Sequence, residues 1–238
     1  MIENLPGHVG PVFMITTFVC VIWFLHIIRS NAADALSGKL LLFLIPAWLI
    51  FQTIIAIGGT YLNTSAFPPR LFLFGAGPAL ILVIGYLFFA RGSLIAKMPL
   101  GALTVIHVIR IPVEIVLSWL HDVGSVPAIM TYHGQNFDII SGLTAPIVYL
   151  IAFRKGRVNV PVLLVWNLAG LALLLNIVIT AVLSAPTPLQ LLAFDQPNRA
   201  VLYFPFIWLP TIVVPIVLFC HFASLYKLLV TRRSESDI

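Results

Sequence analysis

The sequence predicts an all-α, polytopic integral membrane protein: a bundle of seven transmembrane helices with its N-terminus outside and its C-terminus in the cytoplasm. Of the 238 residues, 61% are hydrophobic and only 9% are charged, whereas a soluble domain carries about 25% charged residues. The mean hydropathy is +1.08. Such a chain cannot cover itself with a polar surface, so lipid is its expected solvent.

Seven apolar stretches predict the helices. They lie near residues 10–28, 40–59, 71–90, 100–120, 138–153, 160–184 and 201–228. A helix needs about 20 apolar residues to cross the hydrocarbon layer. Six stretches have that length, while the fifth is short and contains Gly142 and Pro146. Because the stretches occupy nearly the whole chain, we expect one transmembrane domain over residues 1–238.

The first stretch is predicted to be a retained helix and not a signal peptide. The preceding "MIENLPGHVG" has no basic residue, and the stretch ends in "HIIRS" without a small-residue cleavage site. The two cysteines, Cys20 and Cys220, fall within predicted helices, where they are expected to act as small packing residues.

Prolines inside the later stretches predict kinked helices. Each proline removes a backbone donor, and membrane helices tolerate this where neighbours or water satisfy the freed carbonyl. In the fourth stretch, Pro112 frees the carbonyl of Val108. The prolines in question are Pro46, Pro78, Pro112, Pro146, Pro205, Pro210 and Pro215.

The basic residues predict the orientation. If seven helices alternate, Arg70 and Arg199 fall on one side and ten basic residues on the other, which marks the cytoplasmic side. We therefore read the net charge of +5 as a topology signal, and expect a multi-pass protein of a cell membrane, of the bacterial inner-membrane type, without nucleic acid as a partner. The ten are Arg29, Lys39, Arg91, Lys97, Arg154, Lys155, Arg157, Lys227, Arg232 and Arg233.

Two parts of the sequence resemble each other. The loop and third helix, "FPPRLFLFGAGPALILV", are similar to the loop and last helix, "DQPNRAVLYFPFIWLPTIVVPIVL". In both, a turn with proline and arginine precedes the descent into the membrane. Two parallel three-helix repeats joined by a fourth helix would follow, a plan that some small transporters use. Chance similarity between two apolar segments is the alternative.

Polar side chains form one stripe on the fourth helix. At about 100° per residue, all of them lie within about 60° of the direction of His107. The opposite face, with Val105, Val108, Ile109 and Val116, is predicted to meet lipid. The residues of the stripe are Thr104, His107, Arg110, Glu114, Ser118 and His121.

The charged residues of this stripe make it the candidate functional site. A charge at the bilayer centre costs about 2.5–3.5 kcal/mol on insertion scales. Arg110 can reach Glu114, but this i,i+4 order with the cation first is the less favourable one. We therefore expect partners from other helices, and a cavity or proton relay formed by Arg110, Glu114 and Ser118. A buried network that only fixes helix packing is the alternative. The available partners are Gln52, Asn167, Asn176, Tyr149 and Thr180.

The histidines suggest two further sites. His26, His107 and His221 each fall in the cytoplasmic half of a helix and could ligate a transition metal or, as a pair, a haem iron. None shows a metal-binding spacing such as HxxxH, and a packing or proton-relay role is the alternative. A second ion site on the external side is predicted from His121, Asp122, His133 and Asp138.

Three functions remain open from the sequence. The first is transport of a small solute, an ion or protons, with Glu114 exchanging a proton and Arg110 tuning it or holding an anionic group. The second is a membrane-embedded enzyme with a metal or haem, acting on a lipid or another apolar substrate. The third is an accessory subunit whose polar stripe meets a partner helix. A homo-oligomer is compatible with each.

Overall fold

The computed structural model describes residues 2–154 and 156–236, and for residues 231–236 the backbone alone. Two antiparallel strands of two residues each, β1 (Phe153–Arg154) and β2 (Arg157–Val158), form a hairpin. Lys155, one of the basic residues that predict the cytoplasmic side, lies outside the described residues. The helices are α1 (Val9–Ala32), α2 (Leu36–Ile57), α3 (Gly77–Phe89), α4 (Leu100–Val105), α5 (Arg110–Asp122), α6 (Ile139–Ala152), α7 (Val160–Ser184) and α8 (Val214–Ser236).

Three short segments extend these helices. A 3-10 turn, Ile106–Ile109, joins α4 to α5, and π-helical segments precede α3 (Phe72–Ala76) and α8 (Leu209–Val213). The described residues then contain six helices long and apolar enough to cross a membrane, with mean hydropathies from 1.9 to 2.4. The all-α, membrane-type architecture is therefore confirmed. The seventh crossing and the orientation stay predictions, and the side chains of Arg232 and Arg233 lie outside the described residues.

The helix formed by α4 and α5 buries two of the four residues predicted to meet lipid, while Val105 and Val108 are partly exposed. Ile109 and Val116, predicted to meet lipid, are buried at 5% and 1% exposure, because α1 packs against this side of α5 and of the 3-10 turn. Ile115 is the exposed large side chain of α5. The prediction of a lipid-facing side at Ile109 and Val116 was therefore wrong.

Prolines explain the two π segments, and α2 satisfies the carbonyls that they free. Pro78 cannot bond the carbonyl of Phe74, which accepts from Gln52 Nε2 at 2.8 Å instead. Pro215 leaves the carbonyl of Thr211 free in the same way, and Trp48 Nε1 donates to it at 3.0 Å. Two α2 side chains one turn apart thus hold both segments, which also contact each other.

The α5–α6 connection enters the bundle before α6 begins. Asp138, immediately before α6, forms an ion pair with Arg110, which lies near the middle of the span Leu100–Asp122. The 14 residues of α6 rise about 21 Å, less than the hydrocarbon thickness of about 30 Å. Non-helical backbone at this depth is tolerated where it is buried in protein. This explains why the fifth apolar stretch is short.

Basic residues cluster at one end of the bundle. Lys97 forms an ion pair with Asp34 at 2.5 Å, and its ammonium lowers the pKa of the Asp34 carboxyl. Lys227 Nζ donates to the carbonyls of Ala96 and Met98. These contacts join the ends of α1, α3 and α8, so Lys97 and Lys227, two of the residues that predict a cytoplasmic side, are close together in space.

Candidate functional site

The guanidinium of Arg110 is directed to α6, α7 and α8. Its Nη1 lies 3.0 Å from Asp138 Oδ1 and donates to the carbonyl of Gly170 at 3.3 Å. No ion pair joins it to Glu114 in the part of the chain that the structure describes. Helical side chains lean toward the N-terminus of their helix, which carries the Arg110 side chain away from the residue one turn later. The charged core is therefore assembled between helices.

His221 on α8 receives the other end of this guanidinium. Arg110 Nη2 donates to His221 Nε2 at 3.2 Å. Because a guanidinium can only donate, Nε2 is the acceptor and the ring proton is on Nδ1, which donates to Asn167 Oδ1 at 2.9 Å. Asn167 in turn donates to the carbonyl of Leu163. This chain of bonds fixes both the tautomer and the orientation of the ring.

His107 is stacked on His221. The ring centroids are 3.9 Å apart with 29° between the planes, and the edge of Trp166 lies against His107. His107 is fully buried, and neither of its ring nitrogens has a hydrogen-bond partner among the described residues. The Nε of Arg110 is also without one. The cluster therefore retains hydrogen-bonding capacity that the described side chains do not use.

Glu114 is held by Asn136 of the inserted loop, the part of the α5–α6 connection that enters the bundle. The amide Nδ2 lies 2.7 Å from both carboxyl oxygens of Glu114 and donates to the carbonyl of Met130 at 3.0 Å. Asn136 Oδ1 accepts the backbone N–H of Asp138 at 3.1 Å. The side chain of Asn136 thus positions both acidic residues of the site. Its Nδ2 contacts the carboxylate of Glu114, and its Oδ1 accepts the backbone N–H of Asp138.

Two glycines let the helices approach closely enough to form the cluster. A Cβ on Gly170 would lie 2.7 Å from His221 Cε1, and one on Gly142 would lie 2.9 Å from Ile111 Cγ1. Real Cβ atoms do not approach so closely without a shift. The missing side chains at these positions bring α7 against α8 and α6 against α5.

A cavity of about 150 Å³ adjoins the two carboxylates. It lies between the two π segments, α3, α5, α7 and α8, and most of its wall is hydrocarbon. Among the described residues its polar lining consists of Glu114, Asp138 and Asn198. A second cavity of about 130 Å³, on the other side of α3 beside α2, is lined by apolar and aromatic side chains together with Thr211. Glu114 and Asp138 therefore belong to the wall of the larger cavity.

The structure separates the remaining predicted residues. Ser118 is buried one turn beyond Glu114 but makes none of the cluster's hydrogen bonds among the described residues. His121 lies at the end of α5, where its Nδ1 is 3.0 Å from the carbonyl of Val126. Asp122 and His133 are exposed. Asp138 pairs with Arg110 instead of joining them, so the four predicted external ligands do not meet.

The predicted inner metal site is not assembled as a set of three. His26 is exposed on α1, 3.5 Å from Ser30, away from His107 and His221. No group of three or more potential ligands is found among the described residues. The lone pairs of an imidazole lie in its ring plane, so the stacked rings of His107 and His221 do not point at a common ion. This arrangement favours the packing or proton-relay alternative for these two histidines.

Sequence reasoning missed Asn136 and the role of Asp138. Their position at the start of the unusually short fifth stretch was the available signal, because a helix that begins at mid-membrane needs fewer apolar residues. Of the polar partners considered, Asn167 joins the cluster through His221. Gln52 instead donates to the carbonyl of Phe74 in the π segment before α3, and Asn176 donates to the carbonyl of Gln135.

Comparison with known proteins identifies a family. The model of a family described as "Domain of unknown function (DUF8737)" matches residues 68–229. The match covers more than half of the chain, so the chain belongs to this family, and it includes every residue of the polar cluster. No curated protein and no solved structure was found to match the chain.

Proposed function

We propose that this member of the family is a multi-pass membrane transporter that moves a small solute in exchange for a proton carried by Glu114. The observation that supports it is the combination of two buried carboxylates, one guanidinium and an adjoining cavity. A network that served only to fix helix packing would need no open space at its carboxylates. Here Glu114 and Asp138 are both part of the cavity wall.

The charge balance of the cluster calls for an exchangeable cation. Buried charges are paired or neutralised, because transferring an isolated one out of water is very costly. Arg110 balances one carboxylate, and its ion pair is with Asp138. Among the described residues, Glu114 accepts hydrogen bonds only from the neutral side-chain amide of Asn136. Either a proton or a cationic solute can supply the missing charge, and alternation between the two is the basis of coupled exchange.

The surrounding helices offer a route for movement. Helix α3 packs on α8, with one cavity on each side of it. Its π segment faces that of α8, and such segments are frequent at functional sites. A shift of α3 relative to α8 would open one cavity at the expense of the other. The prolines that end both segments at matching positions, Pro78 and Pro215, also support the two-repeat arrangement.

We place the protein in a cell membrane with seven crossings, counting α6 and its inserted loop as the fifth. The basic end of the bundle is then cytoplasmic. Single cysteines tested with a membrane-impermeant thiol reagent in intact cells, on a Cys20→Ala/Cys220→Ala background, check this. We expect the reagent to label the Asp195→Cys variant and not the Ser93→Cys variant. The reverse pattern would contradict the orientation.

Glu114→Gln is expected to abolish coupled exchange. The amide is of similar size but cannot take up or release the proton. The protein would be reconstituted into vesicles with a pH indicator inside, and a panel of small cations, anions and neutral solutes added outside. We expect at least one solute to change the internal pH with wild-type protein, and the Glu114→Gln rate to fall to that of protein-free vesicles.

The matched control is Asp195→Asn, which removes a carboxylate from an exposed loop position and should retain the wild-type rate. Two results would contradict the proposal: no solute moving protons faster than in protein-free vesicles, or an undiminished rate in a folded Glu114→Gln protein.

A further inference from the structure

The charged groups in the wall of the cavity are both hydrogen-bond acceptors. Glu114 and Asp138 contribute carboxylates. Asn198 is fully buried, and its Oδ1 has no hydrogen-bond partner among the described residues. Its Nδ2 donates to the carbonyl of Ala181 at 3.4 Å. An occupant that contacts the two carboxylates must donate hydrogen bonds.

We propose that the cavity binds a small, mostly apolar amine in its ammonium form, with a hydrocarbon body about the size of a benzene ring. The inference rests on the transport proposal and names the substrate class of the same site. It follows from three properties of the cavity: the chemistry of its polar groups, its charge and its volume.

The charge of the site selects a cation. The guanidinium of Arg110 is engaged by Asp138, Gly170 and His221 and is not part of the cavity lining. An anion entering the cavity would therefore meet Glu114 and no free positive group. A neutral solute would leave the negative charge of a deprotonated Glu114 unbalanced. An ammonium group balances that charge and donates hydrogen bonds to the acceptors around it.

The volume and the remaining wall select the body of the ligand. An apolar cavity of about 150 Å³ holds a molecule such as benzene, and this cavity has that volume. Apart from its three polar residues, the wall is hydrocarbon, contributed by side chains such as Leu174, Ile177 and Val178. A hydrophilic diamine would bury its second charge against this wall without a partner, so a single amine on an apolar body fits best.

The exchange step balances without a further reactant. The protonated carboxyl of Glu114 releases its proton to water as the ammonium enters, and the resulting carboxylate forms an ion pair with the ammonium. The net charge inside the cluster is unchanged by the replacement. Release of the amine on the other side of the membrane reverses the step. One proton therefore moves against each amine.

Calorimetry on the full chain in detergent tests the binding, with benzylammonium as the probe. Titrations in two buffers of different ionisation enthalpy count the protons released. We expect benzylammonium to bind with release of up to one proton at a pH where Glu114 is protonated. Benzyl alcohol has the same body without the charge, and should bind roughly tenfold to a hundredfold more weakly, the range expected for losing a charged hydrogen bond.

Three variants separate the cavity from unspecific uptake. Glu114→Gln should lose proton release and weaken benzylammonium binding by a similar factor. Ala181→Phe leaves every charge in place but fills the cavity, and should abolish binding even if Glu114→Gln proves difficult to purify. Asp195→Asn is the control and should bind as wild type. Equal binding of benzyl alcohol and benzylammonium, or wild-type binding by Ala181→Phe, would overturn the inference.

The outcomes also distinguish this inference from the transport proposal. If another solute drives proton exchange in vesicles while benzylammonium does not bind, the substrate class is wrong and the transport function stands. If benzylammonium binds with proton release but no vesicle assay shows exchange, the site is an amine-binding site and the transport proposal fails.

Discussion

Arg110→Met is expected to destabilise the protein by about 3–5 kcal/mol, the cost of removing one partner from a buried ion pair. Methionine keeps the length of the side chain but leaves the carboxylate of Asp138 buried without its cation. It also removes the donor to His221 Nε2 and to the Gly170 carbonyl. Thermal or denaturant unfolding in detergent, followed by near-ultraviolet circular dichroism, measures the change.

A double variant shows whether the ion pair itself is responsible. Arg110→Met/Asp138→Leu removes both charges, so it should recover a substantial part of the stability that Arg110→Met loses. Arg157→Met, at an exposed position of β2, is the matched control and should change stability by less than about 0.5 kcal/mol. If the double variant loses the sum of the two single effects, Arg110 and Asp138 are not energetically coupled.

Gly170→Ala is expected to cost about 1–3 kcal/mol, the range for overpacking a closely packed site. The new methyl would lie 2.7 Å from Cε1 and 3.0 Å from Nε2 of His221. That ring cannot move freely, because it is stacked on His107 and bonded to Asn167. We therefore expect a lower unfolding temperature together with loss of proton exchange.

Gly85→Ala provides the control for this substitution. It also lies within a membrane helix, α3, but a Cβ there would meet nothing within 4 Å. The change should be neutral or stabilising, since alanine favours the helix by about 0.5–1 kcal/mol over glycine. Equal unfolding temperatures for the two variants would show that the α7–α8 contact is not close at Gly170.

Composition and periodicity were sufficient to predict much of this architecture. A chain with 9% charged residues has lipid as its expected solvent. Its apolar stretches become helices because backbone N–H and C=O groups in lipid must bond to each other. Five of the six members of the polar stripe on the fourth helix are buried, namely Thr104, His107, Arg110, Glu114 and Ser118, and His121 at the helix end is partly buried. One helix is enough to define a stripe, so periodicity alone could identify it.

The partners of the stripe could not be predicted in this way. Asp138 and Asn136 precede a helix in the sequence and look like loop residues. They reach Arg110 and Glu114 only because the connection folds back into the bundle, which is a tertiary event. For the same reason His26 was grouped with His107 and His221 by depth, whereas the rotation of α1 in the bundle leaves it exposed.

The prediction that Ile109 and Val116 meet lipid was wrong. Periodicity locates the polar face of a helix but does not show what packs on the opposite face. Here α1 packs on part of that face, so Ile109 and Val116 are buried by protein. The π segments likewise depend on α2, whose Gln52 and Trp48 satisfy the carbonyls that the prolines free.

The proposed exchange requires the Glu114 carboxyl to take up and release a proton at the cavity. Infrared difference spectroscopy of the protein in lipid, recorded between low and high pH, observes the carbonyl stretch of a protonated carboxyl directly. We expect such a band in the wild type, a shift of it in D₂O, and its absence from Glu114→Gln. Identical difference spectra for the wild type and Glu114→Gln would mean that this carboxyl does not titrate, and would contradict the proposed exchange.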